Sequence, residues 1–304
     1  MKVLITGGTG FLGSHLAKQF KRKNAIKIMA RKMESNYLTK DQLNTYDFVQ
    51  CDIRNRNSIK RSLSSDIDLV IHCAGLINIR KDGRCSPNLI ETNLNATINL
   101  IESMIDRGIK KILFCSSMTV YGAKNKIPVK ENSILNPIHF YGHSKKWAEE
   151  AIKFYAQQGL IKALIVRYPG LYGYPRKTGY IYNVSRKILH KEKVNIITTG
   201  LKFWETMNIA DAAVITKKIL KRFKGNRNYE ILNCSYGEEI DIIDTAFKIR
   251  DFYNSKVPIN VKKPVDYVKY YLDNTELKKR VYFNYNFEKS LKKFLSTYKN
   301  WLQE

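Results

Sequence analysis

The stretch from Met1 to Gly13, MKVLITGGTGFLG, decides the fold of this chain. An apolar run, Val3 to Ile5, leads into a turn rich in glycine, and a second largely apolar run, Phe11 to Ala17, follows the turn. The first run has the length of a buried strand, and the second suits a helix that packs on that strand. The sequence therefore predicts a strand, a tight loop and a helix, in that order.

The turn between the two runs has the glycine spacing of a phosphate-binding loop. Gly8, Gly10 and Gly13 fit the pattern G-x-G-x-x-G, and Gly7 adds a further position without a Cβ. Such glycines permit a sharp turn, a close approach of the backbone to a pyrophosphate and close packing of helix on strand. The helix start then offers unpaired N–H groups and the positive end of its dipole to the phosphates. The loop residues predicted to contact a dinucleotide cofactor are Gly7, Gly10, Phe11, Leu12 and Gly13.

Short apolar strands alternate with helical segments through the first half of the chain. This alternation predicts an α/β fold, a Rossmann-type doubly wound parallel sheet with a smaller C-terminal substrate-binding lobe. We expect residues 1–168 to form the NAD(P)-binding domain, completed by part of 204–250, and residues 169–304 to form mainly the substrate lobe. The predicted strands are Lys2–Thr6, Ile26–Ala30, Asp47–Cys51, Leu69–Ala74, Lys111–Ser116 and Lys162–Arg167, and the clearest helices are Leu89–Arg107 and His143–Gln158.

The composition describes a chain with a large core and a strongly basic surface. A chain of 304 residues can form one two-lobed unit or two small domains. Hydrophobic residues make up 44% of it, which is enough for a large buried core. Lysine and arginine number 53 against 27 acidic residues, a formal net charge of +26. The basic residues form short scattered clusters without a basic tail or a nucleic-acid motif. We therefore expect a solvated surface with weak attraction to anionic surfaces, and no specific nucleic-acid partner.

The sequence also bears on the compartment. No apolar stretch approaches the roughly 18 residues of a membrane-spanning helix, and no signal-peptide pattern precedes the first strand. The five cysteines are odd in number, include no C-x-x-C pair and lie mostly in or beside apolar runs. This favours reduced core thiols over disulfides, and no residues have the spacing of metal ligands. We therefore expect a cytoplasmic protein without a metal site.

The ends of the second and third strands carry the residues expected around the adenosine. An acidic residue about 20 positions after the glycines would accept hydrogen bonds from the ribose hydroxyls of NAD. Arg31 and Lys32 stand there instead, and two cations suit a 2′-phosphate, so the sequence favours NADP over NAD. After the third strand, Asp52 can accept a hydrogen bond from the adenine amino group and Ile53 can pack on the ring. An Asx turn explains Asp52 nearly as well.

The fifth strand and the helix after it carry the candidate catalytic residues. Hydroxyl side chains, among them Ser117 and Thr119, follow the strand at the edge where a substrate carbonyl or carbinol is held. Tyr141 and Lys145 are four residues apart, so their side chains share one helix face. A tyrosine exchanges protons near neutrality only if its pKa falls well below about 10. An ammonium one turn away, together with an oxidised nicotinamide, favours the phenolate.

Together these segments strongly resemble the extended short-chain dehydrogenase/reductase family, in its NAD(P)-dependent sugar epimerase and dehydratase group. TGGTGFLG is similar to its cofactor loop, CDI to its adenine site, DLVIHCAG to its fourth strand, FCSSMTVYG to its serine strand and YGHSK to its catalytic helix. RYPGLYG, NIADAA and DNTELKKRVYF extend the resemblance over nearly the whole chain. The resemblance implies that Tyr141 is the acid and base, that Lys145 holds the nicotinamide ribose and lowers the pKa of Tyr141, and that Ser117 bonds the reacting oxygen.

The resemblance also implies supporting residues. Asn93 matches an asparagine in the helix before the fifth strand, and His72 looks like a structural imidazole at a strand end. A homodimer packed through the helices Leu89–Arg107 and His143–Gln158 is expected. The further cofactor contacts expected are Cys73, Ala74, Gly75, Asn93 and Tyr168, and the expected substrate contacts are Ser117, Met118, Thr119, Gly170 and Trp204.

Three departures from the family pattern bear on the reaction. The 4,6-dehydratases follow the catalytic hydroxyl with an Asp-Glu pair, whereas this chain has Met118 and Thr119, which do not transfer protons at neutral pH. We therefore predict no 4,6-dehydration. Nucleotide-sugar members usually have Asn at the position of Gly170 and Arg at that of Trp204, and both groups bind the substrate diphosphate. Tryptophan cannot replace arginine electrostatically.

A cation elsewhere would have to compensate, and Lys202 and Arg176 are the nearby candidates. Two enzymatic functions then fit: an epimerase of a sugar or nucleotide sugar, and an NADPH-dependent ketone reductase on a deoxysugar or a non-nucleotide substrate. The pair Arg31–Lys32 favours the reductase, and the whole-chain resemblance favours nucleotide-sugar chemistry. A catalytically silent NAD(P)-binding sensor or scaffold is the alternative of another class. The complete set of serine, tyrosine and lysine argues against it.

Overall fold

The computed structural model describes residues 1–21, 23–77, 85–123, 125–197, 205–262 and 270–303 of the chain. Its strands are β1 (Lys2–Thr6), β2 (Ala25–Ala30), β3 (Asp47–Gln50), β4 (Leu69–His72), β5 (Lys111–Ser117), β6 (Lys162–Tyr168), β7 (Gly170–Tyr172), β8 (Val194–Ile197), β9 (Thr206–Asn208), β10 (Tyr229–Asn233) and β11 (Ile259–Lys262).

The helices are α1 (Phe11–Lys21), α2 (Lys40–Asn44), α3 (Arg56–Ser62), α4 (Pro87–Ile90), α5 (Ala96–Asp106), α6 (Phe140–Gln157), α7 (Tyr180–Leu189), α8 (Ile209–Arg222), α9 (Ile242–Phe252), α10 (Thr275–Arg280), α11 (Phe287–Thr297) and α12 (Lys299–Gln303). A π-helical turn, Glu91–Asn95, joins α4 to α5, and a 3-10 turn, Met118–Val120, follows β5. In the described part of the chain, none of the helices combines the length and the apolar character that crossing a membrane would take.

Seven of the strands form one parallel sheet, as the alternation of strands and helices predicts. Their spatial order is β10-β6-β5-β4-β1-β2-β3, so the chain runs outward from β1 to β3 and then crosses to the other side of β1. The order reverses between β1 and β4, and ligands of such sheets bind outside the carboxyl ends of the strands at that point. The predicted fold class, a Rossmann-type doubly wound α/β sheet, is confirmed.

Among the boundaries that differ from the sequence prediction, two bear on the candidate site. β4 ends at His72 rather than at Ala74, because the chain leaves the sheet there to pass close to Gly7. α6 begins at Phe140, earlier than predicted, so Tyr141 lies within its first turn. Both changes lie at the carboxyl edge of the sheet, where the candidate site residues are.

Both faces of the sheet are covered because neighbouring residues of a strand point to opposite sides. Val3 and Ile5 of β1 pack on one side with residues of α1 and α8. Leu4 packs on the other side with residues of α3, α5 and α6. All three side chains are fully buried. Strands that are apolar on both faces are typical of parallel sheets covered by helices.

The C-terminal part of the chain completes the sheet and builds a smaller assembly beside it. β10, from the predicted region 204–250, lies at the edge of the sheet next to β6, whereas β7 with β9 and β8 with β11 form separate parallel pairs. Tyr174 stacks on Tyr298 at a ring distance of 4.7 Å, and the Trp301 ring packs against both. The division into residues 1–168 and 169–304 stays a prediction.

A buried ion pair fastens α6 to the sheet. Arg167 of β6 donates from Nε to Oε1 of Glu149 on α6 at 3.0 Å, and from Nη2 to Oε2 at 2.5 Å. Neither side chain exposes more than 1% of its surface. Ser116 of β5 donates to the same carboxylate at 2.5 Å, and Arg167 also donates to the hydroxyl of Tyr121 at 2.7 Å. Both charges are therefore paired and hydrogen-bonded, which burial of a charge requires.

We expect Glu149→Gln to lower the free energy of unfolding by about 3–5 kcal/mol, because it leaves the charge of Arg167 buried without a counter-charge. Glu150→Gln is the matched control. Glu150 is the next residue of the same helix and pairs with Lys153 at the surface, so its loss should change stability by less than about 1 kcal/mol. Urea unfolding followed by circular dichroism measures both variants. Equally small effects would show that the buried pair does not hold α6 in place.

Candidate active site

The glycine loop lies between β1 and α1, against the end of β4. Gly7 has a φ of +65°, and a Cβ there would lie 2.7 Å from the backbone of Ala74. A Cβ on Gly13 would lie 2.3 Å from the carbonyl oxygen of Gly7. Glycine at these two positions lets loop, helix and strand pack closely. α1 begins at Phe11, and the amides of its first turn lack helical partners, as an anion site requires.

Two cavities adjoin at this loop, one of about 600 Å³ and one of about 380 Å³. Gly7, Gly10, Cys73 and Gly75 line both, so we call them the first and the second cavity of one groove. The predicted site residues that line the first cavity are Gly7, Gly10, Phe11, Leu12, Gly13, Cys73, Gly75, Ser117, Met118, Thr119, Tyr141, Lys145, Tyr168 and Gly170. Those that line the second cavity are Gly7, Gly10, Arg31, Asp52, Ile53, Cys73, Ala74 and Gly75.

Among the described residues, two predicted contacts, Lys32 and Asn93, are not brought into this groove. Lys32 is exposed and is not among the lining residues, although Arg31 beside it is. Asn93 is buried behind the lining. Trp204 lies outside the described residues, as does Lys202.

The second cavity contains two guanidinium groups and one carboxylate. Asp52 accepts from the backbone N–H of Arg54 at 3.0 Å, which makes an Asx turn, and pairs with the Arg54 side chain at 2.5 Å. The hydrogen bonds from Arg54, with the charge of Arg31 added, hold the pKa of Asp52 below its usual value. Arg54 is not among the residues predicted from the sequence, and its signal there is its place two residues after an aspartate that follows a strand. The carboxylate of Asp52 is thus already occupied, and two cations line the cavity.

Ser117, Tyr141 and Lys145 come together at the first cavity from β5 and α6. Ser117 is the last residue of β5, and its Oγ accepts from Oγ1 of Thr119 at 3.0 Å. The Tyr141 side chain lines the same cavity as Ser117, and Ser117 lies close enough to act on the pKa of the phenol. One helical turn along α6, Lys145 donates from Nζ to the carbonyl oxygen of Cys115 at 2.8 Å. A hydroxyl, a phenol and an ammonium therefore border one cavity beside the glycine loop.

Burial sets the protonation of this group. It raises the pKa of Tyr141 to about 12, although the hydrogen bond with Ser117 acts in the opposite direction. Burial also lowers the pKa of Lys145. The resemblance implies that Lys145, together with an oxidised nicotinamide, lowers the pKa of Tyr141. One N–H of the Lys145 ammonium is held by the Cys115 carbonyl, and the effect of the two charges together on Tyr141 stays a prediction.

Asn93 supports the site from behind rather than lining it. It lies in the π-helical turn, and its Nδ2 donates to the carbonyl of Leu76 and to Oγ of Ser144, each at 2.9 Å. Its Oδ1 accepts from the N–H of Leu76 at 2.7 Å. Ser144 in turn donates to the carbonyl of Tyr141 at 2.8 Å. Asn93 therefore ties the segment after β4 to the first turn of α6, and π turns are frequent at functional sites.

The two residues after Ser117 have different surroundings. Met118 is only 1% exposed and belongs to an apolar cluster with Tyr270 and Leu272, and its carbonyl accepts from the Tyr270 hydroxyl at 2.6 Å. Thr119 bonds Ser117, as described above. Neither side chain carries a group that exchanges protons at neutral pH.

Arg176 adds a cation to the first cavity. It follows β7, and its guanidinium lies 5.3 Å from the ring centre of Phe11 at the start of α1. Its Nη1 donates to the carbonyl of Leu171 at 3.3 Å and its Nε to Oγ1 of Thr178 at 2.9 Å. The structure therefore brings one of the two candidate compensating cations to the groove.

The glycine loop lies where the strand order of the sheet reverses, and a groove extends beside it. These two features define a dinucleotide-binding protein of the doubly wound class. The chain belongs to the NAD dependent epimerase/dehydratase family, whose model matches residues 3–235. The resemblance found in the motifs is therefore confirmed.

Three comparisons describe its relatives. The chain is 32% identical over 246 residues to a protein of Methanocaldococcus jannaschii named "Putative UDP-glucose 4-epimerase", covering 79% of this chain and 78% of that protein. It is 30% identical over 272 residues to dTDP-D-glucose 4,6-dehydratase of Dictyostelium discoideum, covering 82% of this chain and 61% of that enzyme. The crystal structure of UDP-glucuronic acid 4-epimerase from Bacillus cereus with UDP-glucuronic acid and NAD has a TM-score of 0.83 at 21% identity, over 100% of this chain and 99% of that one.

His72 lies beside the site as a buried neutral imidazole. Thr97 donates its hydroxyl proton to the Asn93 carbonyl at 2.7 Å, so Thr97 Oγ1 must accept from His72 Nε2 at 3.0 Å. His72 Nδ1 then accepts from the Thr6 hydroxyl at 2.6 Å. Burial, with the charge of Lys145 added, lowers the pKa of His72 to about 3. The imidazole is therefore a structural group held in one tautomer.

We expect His72 to destabilise the folded chain as the pH falls from 6.5 to 4. In this range the unfolded chain binds a proton at His72 and the folded chain does not, so stability falls by about 1.4 kcal/mol per pH unit. His72→Gln removes this contribution to the pH dependence of stability. The native chain and the variant should therefore differ in the slope of the free energy of unfolding against pH, and that difference isolates His72 from the other titrating groups. Urea unfolding at pH 7, 6, 5 and 4 measures the slopes. Equal slopes would mean that His72 accepts a proton in the folded chain.

Proposed function

We propose that this chain is an NAD(P)-dependent epimerase that acts on a sugar or nucleotide sugar by hydride transfer, with Ser117, Tyr141 and Lys145 as its catalytic residues. The observation that carries the proposal is that these three side chains border one cavity beside the glycine loop. Two names support the substrate class: the relative from Methanocaldococcus jannaschii is named for UDP-glucose, and the Bacillus cereus epimerase was crystallised with UDP-glucuronic acid and NAD.

The residues present fit a nicotinamide dinucleotide. The groove extends to both sides of the glycine loop, which suits a ligand with a pyrophosphate between two nucleosides. The cations Arg31 and Arg54 line the second cavity, and Lys145 lines the first. When bound, the nicotinamide supplies the acceptor and donor of a hydride.

The chain's own residues hold the reacting oxygen and its proton. Ser117 donates to the oxygen of the carbinol or ketone, and its Oγ is oriented by Thr119. Tyr141 takes the hydroxyl proton when the carbinol is oxidised and returns it when the ketone is reduced. Lys145, one of whose three N–H donors is held by the Cys115 carbonyl, binds ribose hydroxyls and stabilises the phenolate electrostatically. Asn93 keeps the start of α6 in place.

Tyr141→Phe should reduce turnover at least a hundredfold, because it removes the proton-exchanging group while keeping the ring. Cofactor affinity should change less than about threefold. Tyr282→Phe is the control: this side chain is 84% exposed and outside the groove lining. Epimerisation of UDP-sugars followed by chromatography, with fluorescence titration of the cofactor, measures both quantities. Unchanged turnover in the variant would contradict the mechanism, and no turnover in the native chain with intact cofactor binding would favour the sensor or scaffold.

A second candidate function is an NADPH-dependent ketone reductase, and the two guanidinium groups of the second cavity favour it. Arg31 and Arg54 suit the 2′-phosphate of NADP. We expect the native chain to bind NADPH at least tenfold more tightly than NADH, and Arg31→Ala to remove most of this ratio. Lys32→Ala, which alters the exposed neighbour, should change the ratio less. Tightly retained NAD in the purified protein would contradict the NADP proposal and leave the epimerase.

Two further parts of the proposal follow from the sequence. We propose that the chain does not catalyse 4,6-dehydration, although one relative is a 4,6-dehydratase, because Met118 and Thr119 lack the acid and base; a 4-keto-6-deoxy product would contradict this. We also propose a homodimer through α5 and α6, since Trp147 and Phe154 of α6 expose 38% and 59% of their surface. A monomeric mass by light scattering would contradict the dimer.

A further inference from the structure

Two thiols meet at the point where the two cavities join. The Sγ atoms of Cys73 and Cys115 are 3.3 Å apart. β4 and β5 pair in parallel, with His72 opposite Phe114. The residues that follow these two in the sequence, Cys73 and Cys115, therefore lie opposite each other. Neighbouring strands lie about 4.8 Å apart. This spacing is within the range of about 4.4–6.8 Å between the Cα atoms of disulfide-bonded cysteines.

The pair is also open to small molecules. Cys73 is half-buried and lines both cavities, while Cys115 is buried and lines the first. A reagent that enters the groove therefore meets Cys73 first, with Cys115 behind it. The mechanism proposed above uses neither thiol, although Cys73 is among the expected cofactor contacts.

We propose that Cys73 and Cys115 are a redox-active dithiol that a small peroxide converts into a disulfide, and that the disulfide reversibly inactivates the enzyme. The Cys73 sulfur attacks one peroxide oxygen, the O–O bond breaks, and Cys73 becomes a sulfenic acid with release of water. The Cys115 sulfur then attacks Cys73, the S–O bond breaks, and a second water leaves. Two thiols and one hydrogen peroxide thus give one disulfide and two waters.

The bond would disturb the residues that position the catalytic groups. Its formation shortens the Sγ–Sγ distance from 3.3 Å to about 2.05 Å, and the ends of β4 and β5 have to take up the difference. Cys115 holds Lys145 through its carbonyl, and Ser117 follows two residues later. A Cβ on Gly75 would lie 3.6 Å from Lys145 Nζ, so the segment after Cys73 also borders the ammonium. Displacements of about 1 Å at such positions cost up to a hundredfold in rate.

The surroundings predict a slow reaction that a bound cofactor suppresses. The hydrogen bond with Cys115, together with burial, raises the pKa of Cys73, so little thiolate is present at neutral pH. A dinucleotide in the groove covers the side from which Cys73 is reached.

Peptide mapping by mass spectrometry tests the bond without reference to activity. The reduced native chain is incubated with hydrogen peroxide, and remaining thiols are alkylated before digestion. We expect a peptide pair linked through Cys73 and Cys115, and at least threefold slower linkage with saturating NADP⁺ or NAD⁺. Cys85→Ser, a half-buried cysteine outside the groove lining, is the control and should form the same link. Sulfinic or sulfonic acid at Cys73 without a link, or a link to another cysteine, would overturn the proposal.

The effect on catalysis rests on the proposed function and is measured separately. Turnover of the native chain should fall at least tenfold in step with the linked fraction and return on reduction with dithiothreitol. Cys115→Ser should form no link and should lose the dithiothreitol-reversible part of the inactivation. If the link forms while turnover stays unchanged, the inactivation is disproved. If no UDP-sugar is turned over even by the reduced chain, the proposed function has failed and the peptide map still decides whether the thiol pair is redox-active.

Discussion

The buried ion pair between Glu149 and Arg167 is the interaction on which the candidate active site depends. It joins α6 to β6, and the hydrogen bond from Ser116 joins the same carboxylate to β5. Glu149 lies on the helix face that carries Tyr141 and Lys145, because residues four apart fall on one side of a helix. The pair therefore positions the phenol and the ammonium over the end of β5. Burying two charges gives little net stability, so positioning is its main consequence for this chain.

Burial at the candidate site favours the neutral forms of Tyr141 and His72. Burial raises the pKa of Tyr141 to about 12 and lowers that of His72 to about 3. The two shifts have one cause, since a charged form loses more solvation than a neutral form when water is excluded. For His72 the result is a neutral imidazole, and its hydrogen bonds with Thr6 and Thr97 fix the tautomer and tie β4 to β1 and to α5. For Tyr141 the result is a group whose proton exchange depends on what occupies the cavity.

The carboxyl edge of the parallel sheet concentrates several kinds of chemistry in one place. The glycine loop follows β1, Cys73 follows β4, and Cys115 and Ser117 lie near the end of β5. These three strands are neighbours in the sheet although they are far apart in the sequence. Parallel strands present equivalent ends at the same edge. A displacement at the end of one strand therefore also displaces residues at the end of the neighbouring strand. This proximity underlies the proposal that a bond between Cys73 and Cys115 would disturb Lys145, which the Cys115 carbonyl holds.

The sequence by itself determined the features that depend on local geometry. The glycine spacing of Met1–Gly13 predicted the strand, loop and helix because a Cβ is sterically excluded there, and alternating apolar runs predicted the doubly wound sheet. The four-residue spacing of Tyr141 and Lys145 predicted a shared helix face. Tertiary structure decided what depends on distance between remote groups and on the exclusion of water. It paired Asp52 with Arg54, brought Cys73 against Cys115, and buried the phenol of Tyr141, which raises the pKa of that group.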